Sequence, residues 1–312
     1  MAKIICGVDV SSERLDARIG LEGAELSVER TCEGVGRLAA FCRQHGVELV
    51  VMEATGGYEK LAFSLLWAEG LACAIANPRA VRRLAESLGL LEKTDRLDAG
   101  VIARYGDVKG LVGQAPASAA QQRLRALVTR LGQVTALKTA QANQRRLVTD
   151  ADVLASIDEV VALTRRQIRQ LEVAIAGLLD QDPLWRALDE TFRSIKGVAD
   201  RTTARLMAEM PEIGQLSNKA IAKLAGLAPL AKDSGKRRGK RSIRGGRSGV
   251  RGTLFVVAEV VRRHNPDFAD LHQRLIIAGK SKKAIRVALA RKLLVRLNAK
   301  ARDARLALQL AA

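Results

Sequence analysis

Asp9, Glu53, Asp95 and Asp98 are carboxylates set in the segments GVDVS, MEATGGY and KTDRLDA. Asp95 and Asp98 stand three residues apart, so they share a face wherever that segment is helical. Four carboxylates converging on one edge would hold one or two Mg²⁺, a hard cation served by oxygen ligands. Two such ions can flank a scissile phosphate and stabilise both the attacking and the leaving oxygen. Each acid alone also reads as an ordinary surface or capping carboxylate, and Asp98 could simply pair with Arg96 or Lys93. Only the set of four points to a metal.

A second constellation lies in KDSGKRRGKRSIRGGRSGVR, residues 232–251, with nine Lys or Arg against the single acid Asp233. Clustered cations on a glycine-rich backbone are the electrostatic footprint of phosphate contact. Lys236, Arg237, Arg238, Lys240, Arg241, Arg244, Arg247 and Arg251 are the candidate nucleic-acid contacts. Among them sits Ser234, next to Asp233. A serine hydroxyl is a poor nucleophile unless it is deprotonated or placed beside cations or a metal that hold the phosphate. No histidine is close in sequence, so a metal or the acid cluster would have to assist. The plainer reading is a solvated loop in which Ser234 caps a turn. Ser242 and Ser248 compete for the same role, and spacing does not separate them.

The chain has 312 residues, a formal charge of +19 and 48% hydrophobic residues. That length fits two domains with a connecting element, and that apolar content excludes a disordered basic protein. The charge excess favours a polyanion, with nucleic acid as the default and anionic membrane as the rival. No apolar run approaches the ~20 residues of a spanning helix, and no signal-peptide pattern opens the chain. A soluble cytoplasmic, nucleoid-associated protein is expected. Cys6, Cys32, Cys42 and Cys73 lack metal-ligand spacing and read as small buried apolar residues.

The positioning elements follow from periodicity. KIICGVDVS, RLDARIGL and AELSVERT read as a three-strand meander, VGRLAAFCRQHG as a helix, and ELVVME as a strand. A helix from about Tyr58 to Glu69, the strand LACAIAN and a helix opened by Pro78 complete the β-β-β-α-β-α-β-α order of the ribonuclease-H-like, RuvC-like fold. Residues 118–181 read as two long helices broken near Thr149-Asp150, with Leu124, Leu127, Leu131, Val134 and Leu137 as the inner stripe of the first. Arg145 and Arg146 lie on its polar face. The carboxy-terminal part reads as helical. Ile195-Lys196-Gly197-Val198 is either a phosphate-binding helix–hairpin–helix turn or a plain turn. The last basic amphipathic segment could also lie on a membrane surface. The expected organisation is a catalytic domain over 1–115, a helical hairpin arm over 116–183 that could mediate dimerisation, and a helical domain over 184–312 bearing the serine loop.

With GVDVS, MEATGGY, KTDRLDA, APLAKDSGKRRGKRSIRGGRSGVR and LFVVAEV in this order, the chain resembles the RNA-guided bridge recombinases, transposases of insertion-sequence family 110. The resemblance implies that Asp9, Glu53, Asp95 and Asp98 bind Mg²⁺ near the phosphate. It implies that Ser234 attacks DNA and forms a covalent phosphoserine link before strand exchange. An element-encoded noncoding RNA would pair with target and donor DNA, and a composite site would be built between subunits of a dimer to tetramer. One departure is Phe255, where the family often has a Tyr. Three other readings compete. They are a junction-resolving nuclease using metal-activated water, a non-enzymatic nucleic-acid binder with structural acids, and an actin-like nucleotide enzyme. The last would need a second copy of the fold.

Overall fold

The computed structural model describes residues 3–90 and 95–311 except 232, 236, 237 and 240, with the backbone alone at 95–97 and 311. The chain divides into two compact units, Met1–Ala117 and Ser118–Ala312.

The first unit contains β1 (Ile5–Val10), β2 (Arg14–Ile19), β3 (Glu25–Glu29), α1 (Cys32–Gln44), β4 (Leu49–Glu53), α2 (Glu59–Ala68), β5 (Cys73–Ala76), α3 (Pro78–Ser87) and α4 (Asp95–Lys109). Its sheet has the order β3-β2-β1-β4-β5. β2 is antiparallel to β1 and β3, and β4 runs parallel to β1 and β5. This is the ribonuclease-H-like arrangement expected from the element order.

Strand alternation divides the side chains between two cores. Cys6, Val8 and Val10 of β1, with Val50 and Met52 of β4, join Leu38, Phe63 and Leu66 in one cluster. Ile5, Leu49 and Val51 point the other way and join Val81, Ala85, Val101 and Ile102. Caps mark the helix starts where short polar residues stand. Thr31 accepts the Gly34 N–H at 3.1 Å, and Asn77 accepts the Arg79 N–H at 3.0 Å beside Pro78.

The second unit is helical: α5 (Ala119–Gln144), α6 (Ala151–Gln181), α7 (Pro183–Arg193), α8 (Asp200–Glu209), α9 (Asn218–Leu224), α10 (Ser248–His264), α11 (Pro266–Ile277) and α12 (Lys282–Ala311). The hairpin of α5 and α6 turns through a 3₁₀ segment, Arg145–Leu147. Its inner stripe departs from expectation: Val128 is buried, Leu127 is only partly so, and Leu137 is 47% exposed. The pattern drifts because 3.6 residues per turn do not keep a fixed three-and-four spacing on one face. Arg145 is not simply a solvated cation, since its Nε and Nη2 donate to Asp158 at 2.7 and 2.9 Å and tie the two helices together.

α12 is a core helix. Ile285, Leu289, Leu293, Leu297 and Ala301 are buried at helical spacing. Its apolar face therefore lies inside the unit, not on a membrane, and no helix among the described residues is long and apolar enough to cross one. Asn298 is fully buried and satisfied: its Oδ1 accepts the Gly214 N–H at 2.9 Å and its Nδ2 donates to the Leu216 carbonyl at 3.0 Å. Gly197 has φ +103, and a Cβ there would lie 3.1 Å from the Val261 nitrogen, so helix packing already accounts for this glycine.

Cys6, Cys42 and Cys73 are buried as expected, whereas Cys32 is exposed because it opens α1. A hydrogen bond with Cys42, reinforced by burial, raises the Cys6 thiol, and burial pushes Cys73 up to about 12. These thiols are protonated packing groups.

Glycines decide how α4 meets the sheet. A Cβ on Gly7 would lie 1.9 Å from the Ala99 carbonyl oxygen, and one on Gly106 would lie 2.7 Å from Val51 Cγ2. Gly7→Ala should therefore lower unfolding free energy by roughly 1–3 kcal/mol through forced separation of β1 and α4. Gly36 of α1 has nothing within 4 Å of its Cβ position. Gly36→Ala should stabilise by up to about 1 kcal/mol through helix propensity, and urea titration of both variants checks the contrast.

Candidate active site

The pairing register places two of the acids side by side. Val8 of β1 pairs with Met52 of β4, and one residue further along each parallel strand stand Asp9 and Glu53. Both have the parity of Gly7 and Val51, so both belong to the sheet face covered by α4. The contacts of Gly7 with Ala99 and Ala103, and of Gly106 with Ile5 and Val51, orient that helix. It runs antiparallel to β1, and its first turns, which carry Asp95 and Asp98, come to the end of the sheet where Asp9 and Glu53 lie. Asp9, Glu53 and Asp98 are each half-buried. The side chain of Asp95 lies outside the described residues.

An acid that the sequence analysis did not single out shares this face. Asp16 pairs directly with Asp9 across β1 and β2. Its Oδ1 accepts from Ser27 Oγ at 2.6 Å, and Ser27 Oγ in turn accepts from Arg14 Nη2 at 2.5 Å. The signal was available in RLDARI: Leu15 and Ala17 face the α1–α2 core, which turns Asp16 to the α4 side. Two carboxylates directly opposite each other repel unless a cation lies near.

The carboxylates that the strand register turns to this face, Asp9, Glu53 and Asp16, are oxygen donors of the kind a hard divalent cation takes. Among the described residues, however, no three His, Cys, Asp or Glu are gathered closely enough to hold a metal.

The serine lies in the second unit, on a loop closed like a hairpin. Leu230 and Ser242 form an antiparallel bridge, with N–H to carbonyl distances of 2.8 and 3.3 Å. Inside it, Asp233 Oδ1 accepts from Arg241 Nη1 at 2.6 Å and from the Gly239 N–H at 3.0 Å. The Arg241 hydrogen bond holds the Asp233 carboxyl below the usual carboxylate range. An ionised carboxylate already serving two donors is a brace, not a proton source. Ser234 follows it and is exposed, as are Ser242 and Ser248. Ser234 and Ser242 each have their backbone in a bridge and Ser248 opens α10, so exposure and backbone pairing do not separate the three serines.

The candidate cations divide into two groups. Arg247 donates through Nη1 and Nη2 to both carboxylate oxygens of Glu212 at 2.6 Å and through Nη1 to the Glu209 carbonyl at 2.7 Å. Arg251 donates to the Gly245 carbonyl at 2.6 Å. With Arg241, these three hold the loop. Arg238 and Arg244 are exposed, with no partner among the described residues. Lys236, Arg237 and Lys240 lie outside those residues. The glycines have an internal use too: a Cβ on Gly226 would lie 2.2 Å from the Gly245 carbonyl oxygen, and one on Gly246 2.3 Å from the Gly226 nitrogen. The close approach that Gly245 and Gly246 permit is to the chain's own α9 end. Phe255 lies under Arg286, whose guanidinium carbon is 4.9 Å from the ring centroid.

Burial is the largest single influence on Glu212 and opposes its ionisation. The Arg247 hydrogen bonds, a backbone hydrogen bond and the Arg247 charge together outweigh it and hold the carboxyl below the ordinary 4.5. A lowered folded value means the pair stabilises above pH 4.5 and loses its contribution as pH falls through that folded value. Arg247→Ala should cost about 1 kcal/mol at neutral pH, since both partners remain partly screened by solvent. The difference from the parent should shrink in acid to what the pH-independent Glu209 carbonyl contact contributes, whereas Arg238→Ala should leave stability unchanged at every pH. Urea melts between pH 3 and 7 check both.

Comparison with known proteins covers both units, and the first match continues past Ala117 through the α5 helix. Residues 6–151 match a DEDD transposase family model of the IS110 group, and residues 189–273 match the model described as "Transposase IS116/IS110/IS902 family". The chain is 28% identical to the pilin gene-inverting proteins of Moraxella lacunata and Moraxella bovis, over 94% of this chain and 94% of each relative. It thus carries the amino- and carboxy-terminal transposase domains of the IS110 family and is an enzyme of the transposase and recombinase class, which cleaves and joins DNA.

Proposed function

We propose that this enzyme excises and inserts a mobile element through a covalent phosphoserine intermediate formed by Ser234. The observation that carries this reading is the exposed Ser234, held beside the Asp233–Arg241 brace on a cation-rich loop. In the cutting step the Ser234 oxygen bonds to phosphorus and the phosphodiester bond to the departing DNA oxygen breaks. The hydroxyl proton leaves to solvent or a carboxylate, and the departing oxygen takes up a proton. In the joining step a DNA hydroxyl attacks the phosphoserine and restores the serine. The ester conserves the energy of the broken bond, so rejoining needs no ATP.

Arg238 and Arg244, with Lys236, Arg237 and Lys240, would hold the phosphate and balance its developing charge. Arg241, Arg247 and Arg251 keep the loop in shape for that contact. Asp9, Glu53, Asp95 and Asp98 would hold Mg²⁺, which when bound supplies charge stabilisation to phosphoryl transfer. The common face of Asp9 and Glu53 supports that assignment. An element-encoded noncoding RNA would choose target and donor DNA by base pairing. The α5–α6 hairpin would serve as an arm in a dimer or tetramer working in the cytoplasm at the nucleoid.

Ser234→Ala should abolish covalent capture of labelled DNA on a denaturing gel while nucleic-acid affinity stays within about twofold, because the phosphate contacts remain. Cleavage with free ends and no adduct, even on a nicked trapping substrate, would assign the enzyme to water-using nucleases instead. Asp9→Ala and Asp98→Ala should lose Mg²⁺-dependent cleavage by about 10²-fold or more with an unchanged thermal melt. Unaltered cleavage would return these acids to structural roles.

A further inference from the structure

The loop from Glu53 to α2 is fastened at several points. Glu59 Oε2 accepts the Thr55 N–H at 3.1 Å and the Gly57 N–H at 2.9 Å, and the Thr55 hydroxyl donates to the Glu53 carbonyl at 3.2 Å. Gly56 and Gly57 hold φ of +66 and +115, where a Cβ is disfavoured. What this fastened turn presents is Tyr58, 47% exposed and the one aromatic among the large exposed apolar side chains described. Aromatics make up only 3% of the chain.

One face of the Tyr58 ring is covered by the Arg30 guanidinium, 5.1 Å from the centroid. Arg30 is fixed in turn, donating through Nε to the Ser12 carbonyl at 2.8 Å. The pair is thus tethered to the turns that follow β1 and β4, five residues beyond Glu53 and three beyond Asp9 in their anchors. An open groove of about 830 Å³ adjoins it, lined by Arg14, Arg30 and Arg37 together with Glu13, Glu29 and Glu33. With charges so nearly balanced, the groove offers no strong pull on a phosphate. Affinity for nucleic acid here has to come from the ring.

We propose that the open face of Tyr58 is a stacking platform for an unpaired base of the DNA strand lying at the Asp9–Glu53 edge, with Arg30 backing the ring. This inference rests on the DNA-cutting reading above. Every base has a π-face, so such a platform tolerates sequence, and a guanidinium behind an aromatic adds to the stack. A base held there would keep the nucleotide beside the cut out of the duplex and steady its phosphate.

The test uses the full chain and a single-stranded DNA oligonucleotide carrying 2-aminopurine at successive positions, without divalent metal so that nothing is cut. Parent and Tyr58→Phe should quench the probe at one position. Tyr58→Leu should lose that quenching and bind roughly 5- to 100-fold more weakly. The slope of log affinity against log salt should not change, since no phosphate contact is lost. Parent-like quenching and affinity in Tyr58→Leu would overturn the proposal. So would an equal loss in Tyr58→Phe, which would assign the effect to the hydroxyl, or a loss seen only with RNA of the same sequence. Covalent capture on the same proteins separates the two readings. A parent that forms no serine adduct defeats the recombinase mechanism, while quenching is read without any cleavage.

Discussion

The close approach of α4 to β1 is the constraint on which the acid-bearing end of the first unit depends. Gly7 lets the Ala99 and Ala103 backbone lie where a side chain would otherwise stand, and Gly106 does the same against Ile5 and Val51. Interiors pack at crystal-like density, so a helix held at two small-residue contacts has little freedom in tilt or register. That fixes which turn of α4 meets the ends of β1 and β4. Asp98 is brought to the Asp9 and Glu53 end by packing that begins at its neighbour Ala99 and continues through Ala103 to Gly106. The chemistry is therefore positioned by residues that take no part in it.

In the second unit the dominant constraint is charge. Nine cations within twenty residues repel one another, and a loop of that composition gains little by folding back on itself. Two of them are neutralised internally, Arg241 by Asp233 and Arg247 by Glu212, while Arg251 keeps its charge and is held by the Gly245 carbonyl. The glycine contact of Gly226 with Gly245 and Gly246 then seats the far limb on α9. What remains outward is a shorter list of cations and an exposed hydroxyl on a braced limb. A nucleophile attached to a braced limb loses less entropy on meeting its phosphate than one on a free coil. The first unit is braced in the same spirit, where the Glu59 carboxylate fastens the turn that follows Glu53.

Much of the architecture was legible in the sequence. Alternation in ICGVDV and LVVME, the caps Thr31 and Asn77, and Pro78 at a helix start announce the elements of the first unit with little ambiguity, because each is decided within a few residues. The same locality limits what can be read. The importance of Asp16 depends on pairing with Asp9, which no local pattern in RLDARI names. Composition groups Cys32 with the buried thiols because it does not say which residue opens a helix. A fixed three-and-four spacing places Leu137 in the inner stripe, one turn beyond where that spacing holds.

The sequence by itself determined which side chains carry chemistry and which element each sits on, since residue type and periodicity are properties of short segments. The tertiary structure alone decided how those side chains are used. Arg238, Arg241, Arg244, Arg247 and Arg251 are alike in sequence, yet two face outward and three hold the loop. Whether an arginine meets a carboxylate of its own chain is settled by residues such as Glu212, 35 positions away, that only folding brings to it.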